Sequence, residues 1–121
     1  MLTSLGRFLR KIRIDHGEVL KDMADKLEVT ASFLSAVETG KKRMPSSWNS
    51  MICVLYNLSA EQSAEFTKAI AETESKIELD LSNATNAQRE LAVSFARKFT
   101  DFDERQLQKL FDVLRKDKND K

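Results

Sequence analysis

LKDMADKLEVTASFLSAVETGKKR, residues 20–43, is the stretch from which the rest of the chain can be read. Met23, Ala24 and Leu27 fall at helical spacing, and Leu34 and Val37 resume the pattern after a break at Glu28-Val29-Thr30. That spacing predicts two short helices, 20–27 and 31–39, joined by a tight turn and sharing one apolar side. A methyl group at Ala24 lets the second helix cross closely, where a bulky side chain would hold the two apart. Val29 is expected to point from the turn back to the core, and Thr30 to cap the next helix. Gly40 ends that helix, because glycine takes positive φ without steric cost. Lys41, Lys42 and Arg43 follow at its C-terminal edge.

The pattern Met23-Ala24-x-x-Leu27-x-Val29-Thr30-x-Ser32-x-Leu34-Ser35-x-Val37-Glu38-x-Gly40-Lys41-x-x-x-Pro45 resembles the lambda-repressor-like (XRE, Cro/repressor-type) helix-turn-helix family, over residues 4–58. The resemblance implies an all-α fold in which residues 31–39 form a recognition helix lying in the major groove of double-stranded DNA. It places Ala31, Ser32, Ser35 and Ala36 at the base-reading positions, with Thr39 further along. Alanine can meet a thymine methyl and serine can bond to several bases, but neither is a bidentate reader. Leu20 stands where the family commonly has glutamine, and Glu28 where it usually has glycine; a positive φ at Glu28 would strain it by ~1 kcal/mol. Phe33 is expected either on the DNA backbone or wedged against the fourth helix. Specificity then rests on backbone contacts, DNA shape, dimer spacing or the N-terminal arm.

Outward from this stretch, helix one is expected from Thr3 or Ser4 to Asp15, with Leu5, Phe8, Leu9 and Ile12 inward and His16-Gly17 closing it. The resemblance implies that Arg13 pairs with Glu38, bracing the first helix against the third, so that loss of one partner strands the other's charge. After Pro45, Ser46-Ser47-Trp48 reads as the start of a fourth helix whose N-terminal amides can hold a phosphate. Trp48 fits either a sugar-phosphate edge or the core. Met51, Ile52, Leu55 and Tyr56 form that helix's apolar stripe. Ser59 and Gln62 make a capping box for a fifth helix reaching Ala71, with Ala64, Phe66, Ala69 and Ile70 as its apolar members.

Residues 72–76, ETESK, read as a linker between a domain of residues 1–71 and a module of residues 77–121. In that module Ile77, Leu79 and Leu81 alternate with acidic residues, which predicts a short strand needing a partner edge, or else an extended linker anchored by its leucines. Thr85-x-x-Gln88 caps a helix bearing Leu91, Ala92, Phe95 and Phe99. Asp101 or Asp103 caps another bearing Leu107, Leu110, Phe111 and Leu114, and the charged end Arg115–Lys121 is expected to fray. Each helix has one apolar face, so the hairpin must pack on something. The fold expected is thus five helices of the lambda-repressor-like type, a short strand and a two-helix hairpin.

The charges weigh placement above total. A net charge of +1 hides nine Lys/Arg against six Asp/Glu in residues 1–58 and eleven against thirteen beyond. That is too weak a balance to argue for nucleic acid by itself. Its location does: Arg7, Arg10, Lys11 and Arg13 in the first helix and Lys41-Lys42-Arg43 in the loop are candidate phosphate contacts. The lone cysteine, Cys53, lies in the apolar run Met51–Leu55, supplies no disulfide or zinc cluster, and fits a buried structural thiol. No run is apolar enough to span a membrane and no signal core opens the chain, so a cytoplasmic protein is expected. No Gly-rich loop, His pair or Ser/His/Asp grouping offers catalysis, and neither metal nor cofactor is expected.

Three functions fit. The first is a dimeric, sequence-specific transcriptional regulator, a repressor in kind, whose C-terminal hairpin sets half-site spacing at about 34–36 Å. The second is an antitoxin or regulatory-partner protein that binds its own promoter and a second protein through residues 77–121. The layout in which ELAVSFARKF follows a short strand resembles small XRE regulators paired with ImmA/IrrE-type metallopeptidases. The third is an interaction module without DNA readout.

Overall fold

The computed structural model describes residues 1–119, with side chains as far as Arg115. Among these residues the elements are α1 (Ser4–Asp15), α2 (Leu20–Lys26), α3 (Ala31–Glu38), α4 (Trp48–Leu55), α5 (Ala60–Thr73), α6 (Asn86–Lys98), a 3₁₀ turn (Phe99–Asp101) and α7 (Glu104–Asn119). The chain divides between Leu79 and Asp80, later than the linker read at residues 72–76. Helix α5 runs into that stretch, as far as Thr73. No strand forms among the described residues, which corrects the reading of Ile77, Leu79 and Leu81. A lone extended segment has no neighbouring backbone with which to build a ladder. The expected fraying concerns, at Asp120 and Lys121, residues outside the described ones; α7 is helical to Asn119.

In the first unit the core is built from one face of each helix. Leu5, Leu9 and Ile12 of α1, Met23 and Ala24 of α2, Leu34 and Val37 of α3, Ile52 of α4 and Phe66 of α5 are at most 1 % exposed. Phe8 stacks on Phe66, ring centroids 5.1 Å apart, and joins α1 to α5. Leu55 and Ala64, assigned to inward stripes, are exposed. Leu55 lies at the edge of its helix's buried arc, whereas Ala64, two residues before Phe66, turns to the opposite side of α5 from Phe66, Ala69 and Ile70. Cys53 is half-buried, its thiol donating to the Asn49 carbonyl.

Four helices of this unit stop in the same way. After α1, α2, α3 and α4, the residues Gly17, Glu28, Gly40 and Asn57 take positive φ (66°, 60°, 82° and 47°). In each case two amide bonds fold back over the helix end. Glu18 N–H reaches Arg13 O (2.9 Å), Val29 reaches Ala24 O (3.0 Å), Lys41 reaches Ala36 O (2.8 Å) and Leu58 reaches Cys53 O (3.0 Å), each beside a bond from the positive-φ residue. This is the Schellman closure, which satisfies carbonyls that the helix leaves unpaired. Val29 and Leu58, just past their stops, tuck against the core.

The N-termini of α1, α3 and α5 are capped by side chains. Thr3 Oγ1 accepts from Gly6 N–H, Thr30 Oγ1 from Phe33 N–H and Ser59 Oγ from Gln62 N–H. At α4 the expected serine cap is absent: Ser47 sits in the helical region of φ/ψ, and its side chain makes no capping bond.

In the second unit, from Asp80 onward, α6 opens with the capping box of Thr85 and Gln88 and α7 with that of Asp103 and Gln106. Asp80 Oδ1 accepts from the Ser82 amide (3.0 Å) and hydroxyl (2.7 Å), and these bonds hold its carboxyl below the ordinary range. Phe95 meets Phe99 and Phe102 at 5.6 and 5.5 Å, but no described side chain of this unit is buried.

Candidate nucleic-acid interface

Helix α3 is oriented by two close approaches. Ala24 of α2, 1 % exposed, lies in the core where α2 and α3 pack. At the far end of α3, a Cβ added to Gly6 would lie 2.1 Å from the Glu38 carbonyl oxygen, so α1 rests directly on the backbone there. Thr3 strengthens this junction, its amide and hydroxyl both donating to Glu38 O (3.0 and 3.2 Å). The Gly6 contact is absent from the sequence reading because glycine inside a helix gives no signal of which neighbour needs the space.

Beneath α3, Arg13 and Glu38 form a buried ion pair, 7 % and 4 % exposed, with Arg13 Nη2 donating to Glu38 Oε1 at 3.3 Å and Nη1 to Oε2. Arg13 Nη1 also lies 3.6 Å from Met23 Sδ. The pair ties α1 to α3 and removes Arg13 from any role at the surface.

On the outward side the residues divide into those free to meet a partner and those already committed. Ser32 and Ser35 are exposed, and Ala31 and Ala36 are half-buried at the edges of the same face. Thr30 is exposed, but its hydroxyl oxygen caps α3. Thr39 Oγ1 lies 3.0 and 3.3 Å from the Ser35 and Ala36 carbonyls. Lys41 and Lys42 are exposed, and neither is in an ion pair among the described residues.

Trp48 and Phe33 take the core and fourth-helix alternatives read for them, while Arg43, Ser46 and Ser47 are placed otherwise than expected. Trp48 is 2 % exposed and therefore has almost no surface for a partner. Phe33 stands edge-on to it at 6.0 Å and 82°, so this pair wedges α3 against α4. Arg43 is engaged by Glu78 (2.9 Å) and lies 4.0 Å from Glu74. Ser46 and Ser47 are exposed, but they do not open an amide cradle, since the Trp48 and Asn49 N–H groups donate to Pro45 O and Ser46 O. In α1, Arg7 is drawn to Leu2 O and Ser4 Oγ, Lys11 lies 3.9 Å from Glu65, and Arg10 is exposed.

A second cluster went unread in the sequence. The Glu18 carboxylate accepts from Tyr56 Oη (2.7 Å) and from Lys26, whose ammonium also lies over the Tyr56 ring at 4.7 Å. Burial pushes the Glu18 carboxyl up, but the bonds from Lys26 and Tyr56 and the Lys26 charge outweigh it and hold the group below its ordinary value. Burial, and then the bond to the anionic Glu18, drives the Tyr56 phenol far above its usual range. Glu18 and Tyr56 are 38 residues apart, and no local pattern joins them.

The apolar residues assigned to a partner surface are largely open to solvent. Ile77 and Leu79 are 60 % and 69 % exposed, and Leu91, Phe95, Phe99, Leu110, Phe111 and Leu114 are exposed on α6, the 3₁₀ turn and α7. Leu81 and Leu107 are half-buried. Among the described residues no group of three His, Cys, Asp or Glu stands where it could hold a metal, and no helix is long and apolar enough to cross a membrane. Set against protein-family models, curated proteins and solved structures, the chain matches none of them.

Proposed function

We propose that this chain is a sequence-specific DNA-binding transcriptional regulator that works as a dimer. The observation that carries the reading is the outward face of α3, where Ser32 and Ser35 are exposed and Lys41 and Lys42 follow unpaired among the described residues. Two hydroxyls can bond to base edges and two ammoniums to phosphates, a division between readout and positioning that suits duplex DNA. Few groups here discriminate bases strongly, so the shape of the site and the spacing of two copies carry much of the specificity.

The test is selection of bound sites from random duplexes, followed by titration of the selected site. Lys41→Glu with Lys42→Glu is expected to weaken binding more than tenfold, and loss of two phosphate contacts to lower the salt slope by about 2. Undiminished binding by the double variant removes the loop from the interface.

The exposed apolar residues of α6 and α7 favour a second reading, a regulatory partner that also holds another protein through residues 77–121. Recovery of a stoichiometric partner that is lost on changing Phe95 and Phe111 supports it over a homodimer.

A further inference from the structure

We propose that Glu74 and Glu78 form a latch that withholds Arg43 from phosphate, so that the strength of the candidate interface depends on whether this acidic segment is seated. The inference rests on the DNA reading above and adds a regulatory contact to it. Arg43 directly follows the two lysines assigned to phosphate, yet its guanidinium faces two carboxylates, Glu78 at 2.9 Å and Glu74 at 4.0 Å.

The two acids are held differently. Glu74 ends α5, its amide donating to Ile70 O at 2.8 Å, and its side chain is 9 % exposed. Glu78 lies in the irregular segment before the unit boundary, and its side chain is 64 % exposed. Met44, Ile70 and Ile77 line the same recess as Arg43 and both glutamates, so the ion pairs have apolar side chains around them.

A phosphate and a carboxylate satisfy a guanidinium with the same two-oxygen geometry. They therefore compete for Arg43, and binding of DNA there exchanges one anion for another with little net gain. Lys41 and Lys42 need no such exchange. Displacing residues 74–78 frees Arg43 and adds a phosphate contact.

The experiment is a double-mutant cycle on the full chain, titrating the selected duplex over a range of salt. Glu74→Gln with Glu78→Gln is expected to tighten binding about two- to fivefold and steepen the salt slope by about one contact. In an Arg43→Ala background the same pair is expected to give a smaller gain, and the difference between the two backgrounds is the coupling the latch predicts. Removing two negative charges also lowers general repulsion from DNA, but that effect is the same in both backgrounds; an equal gain in each overturns the latch. Glu78→Gln alone, at an exposed position, repeats the cycle without disturbing Glu74, and the same comparison decides it. Duplex binding that Lys41→Glu and Lys42→Glu abolish, with no coupling to Arg43, removes the latch and leaves the regulator. Failure of the unaltered chain to bind any duplex removes both.

Discussion

Residues 1–79 and the residues from Asp80 onward are made of similar helices and held in different ways. Both units have side-chain caps at their helix starts. Among the described residues, however, every buried apolar side chain lies between Leu5 and Ile70. Caps and local spacing can define a helix, but isolated helices of 13 and 16 residues, the lengths of α6 and α7, are marginal in water without a packed face. The first unit buries its faces within itself. The second leaves Leu91, Leu110, Phe111 and Leu114 exposed, so its helices are the part whose stability depends on what covers them.

The sharpest test of this contrast is Arg13→Ala, which leaves Glu38 buried without its partner. A loss of about 3–5 kcal/mol is expected in urea unfolding of the first unit, with much of it recovered in Arg13→Ala/Glu38→Ala. A loss below ~1 kcal/mol would mean that the junction is not as dry as its burial implies.

A smaller, opposite effect is expected at the turn. Glu28 takes φ 60°, and Glu28→Gly removes that strain while loosening the unfolded chain. The net gain is about 0.5–1 kcal/mol, read as a rise in melting temperature.

Acid should act on the first unit through Glu18. Its folded-state carboxyl is held below the ordinary 4.5, so its stabilising contribution is complete above that value and is lost as pH falls through the folded value. Glu18→Gln is expected to flatten this part of the acid-unfolding curve; an unchanged curve would assign the acid limb to other carboxylates.

The smallest effect expected on the first unit comes from the second. Phe95→Ser with Phe111→Ser should shift the unfolding of residues 1–79 by less than ~0.5 kcal/mol, because neither ring is in its core. In sedimentation the same variant is expected to move from dimer to monomer. A large loss in the first transition would show that the two units do not melt independently.

What could be read from the sequence follows this division. Leu5, Phe8, Leu9 and Ile12 announce α1 by spacing, and Thr30, Ser59 and Thr85 mark helix starts because a cap needs only three residues of context. Gly17 and Gly40 mark stops for an equally local reason. The Arg13–Glu38 pair came from the family resemblance, since nothing within α1 names a partner 25 residues away. Where a residue's fate depends on distant placement, the sequence reading thins. Arg43 looked free beside two lysines because Glu74 and Glu78 lie more than thirty residues on. Ser46 and Ser47 resembled a cap until the backbone turned helical early. Trp48 fitted two environments equally until Phe33 stood against it. At Ile77–Leu81 the alternation was genuine, but a strand also requires a neighbour, and alternation does not supply one.

The left-handed stop at Glu28 has a consequence for rotational phase. Each residue added to an α-helix turns its end by about 100°. Only Val29 and Thr30 separate that stop from α3, so moving it by one position would swing Ser32 and Ser35 through roughly a quarter of a circle. A charged side chain in an unfavourable conformation thus serves as an angular index mark: it sets the compass bearing of the next helix, and with it the direction in which two serines and two lysines look.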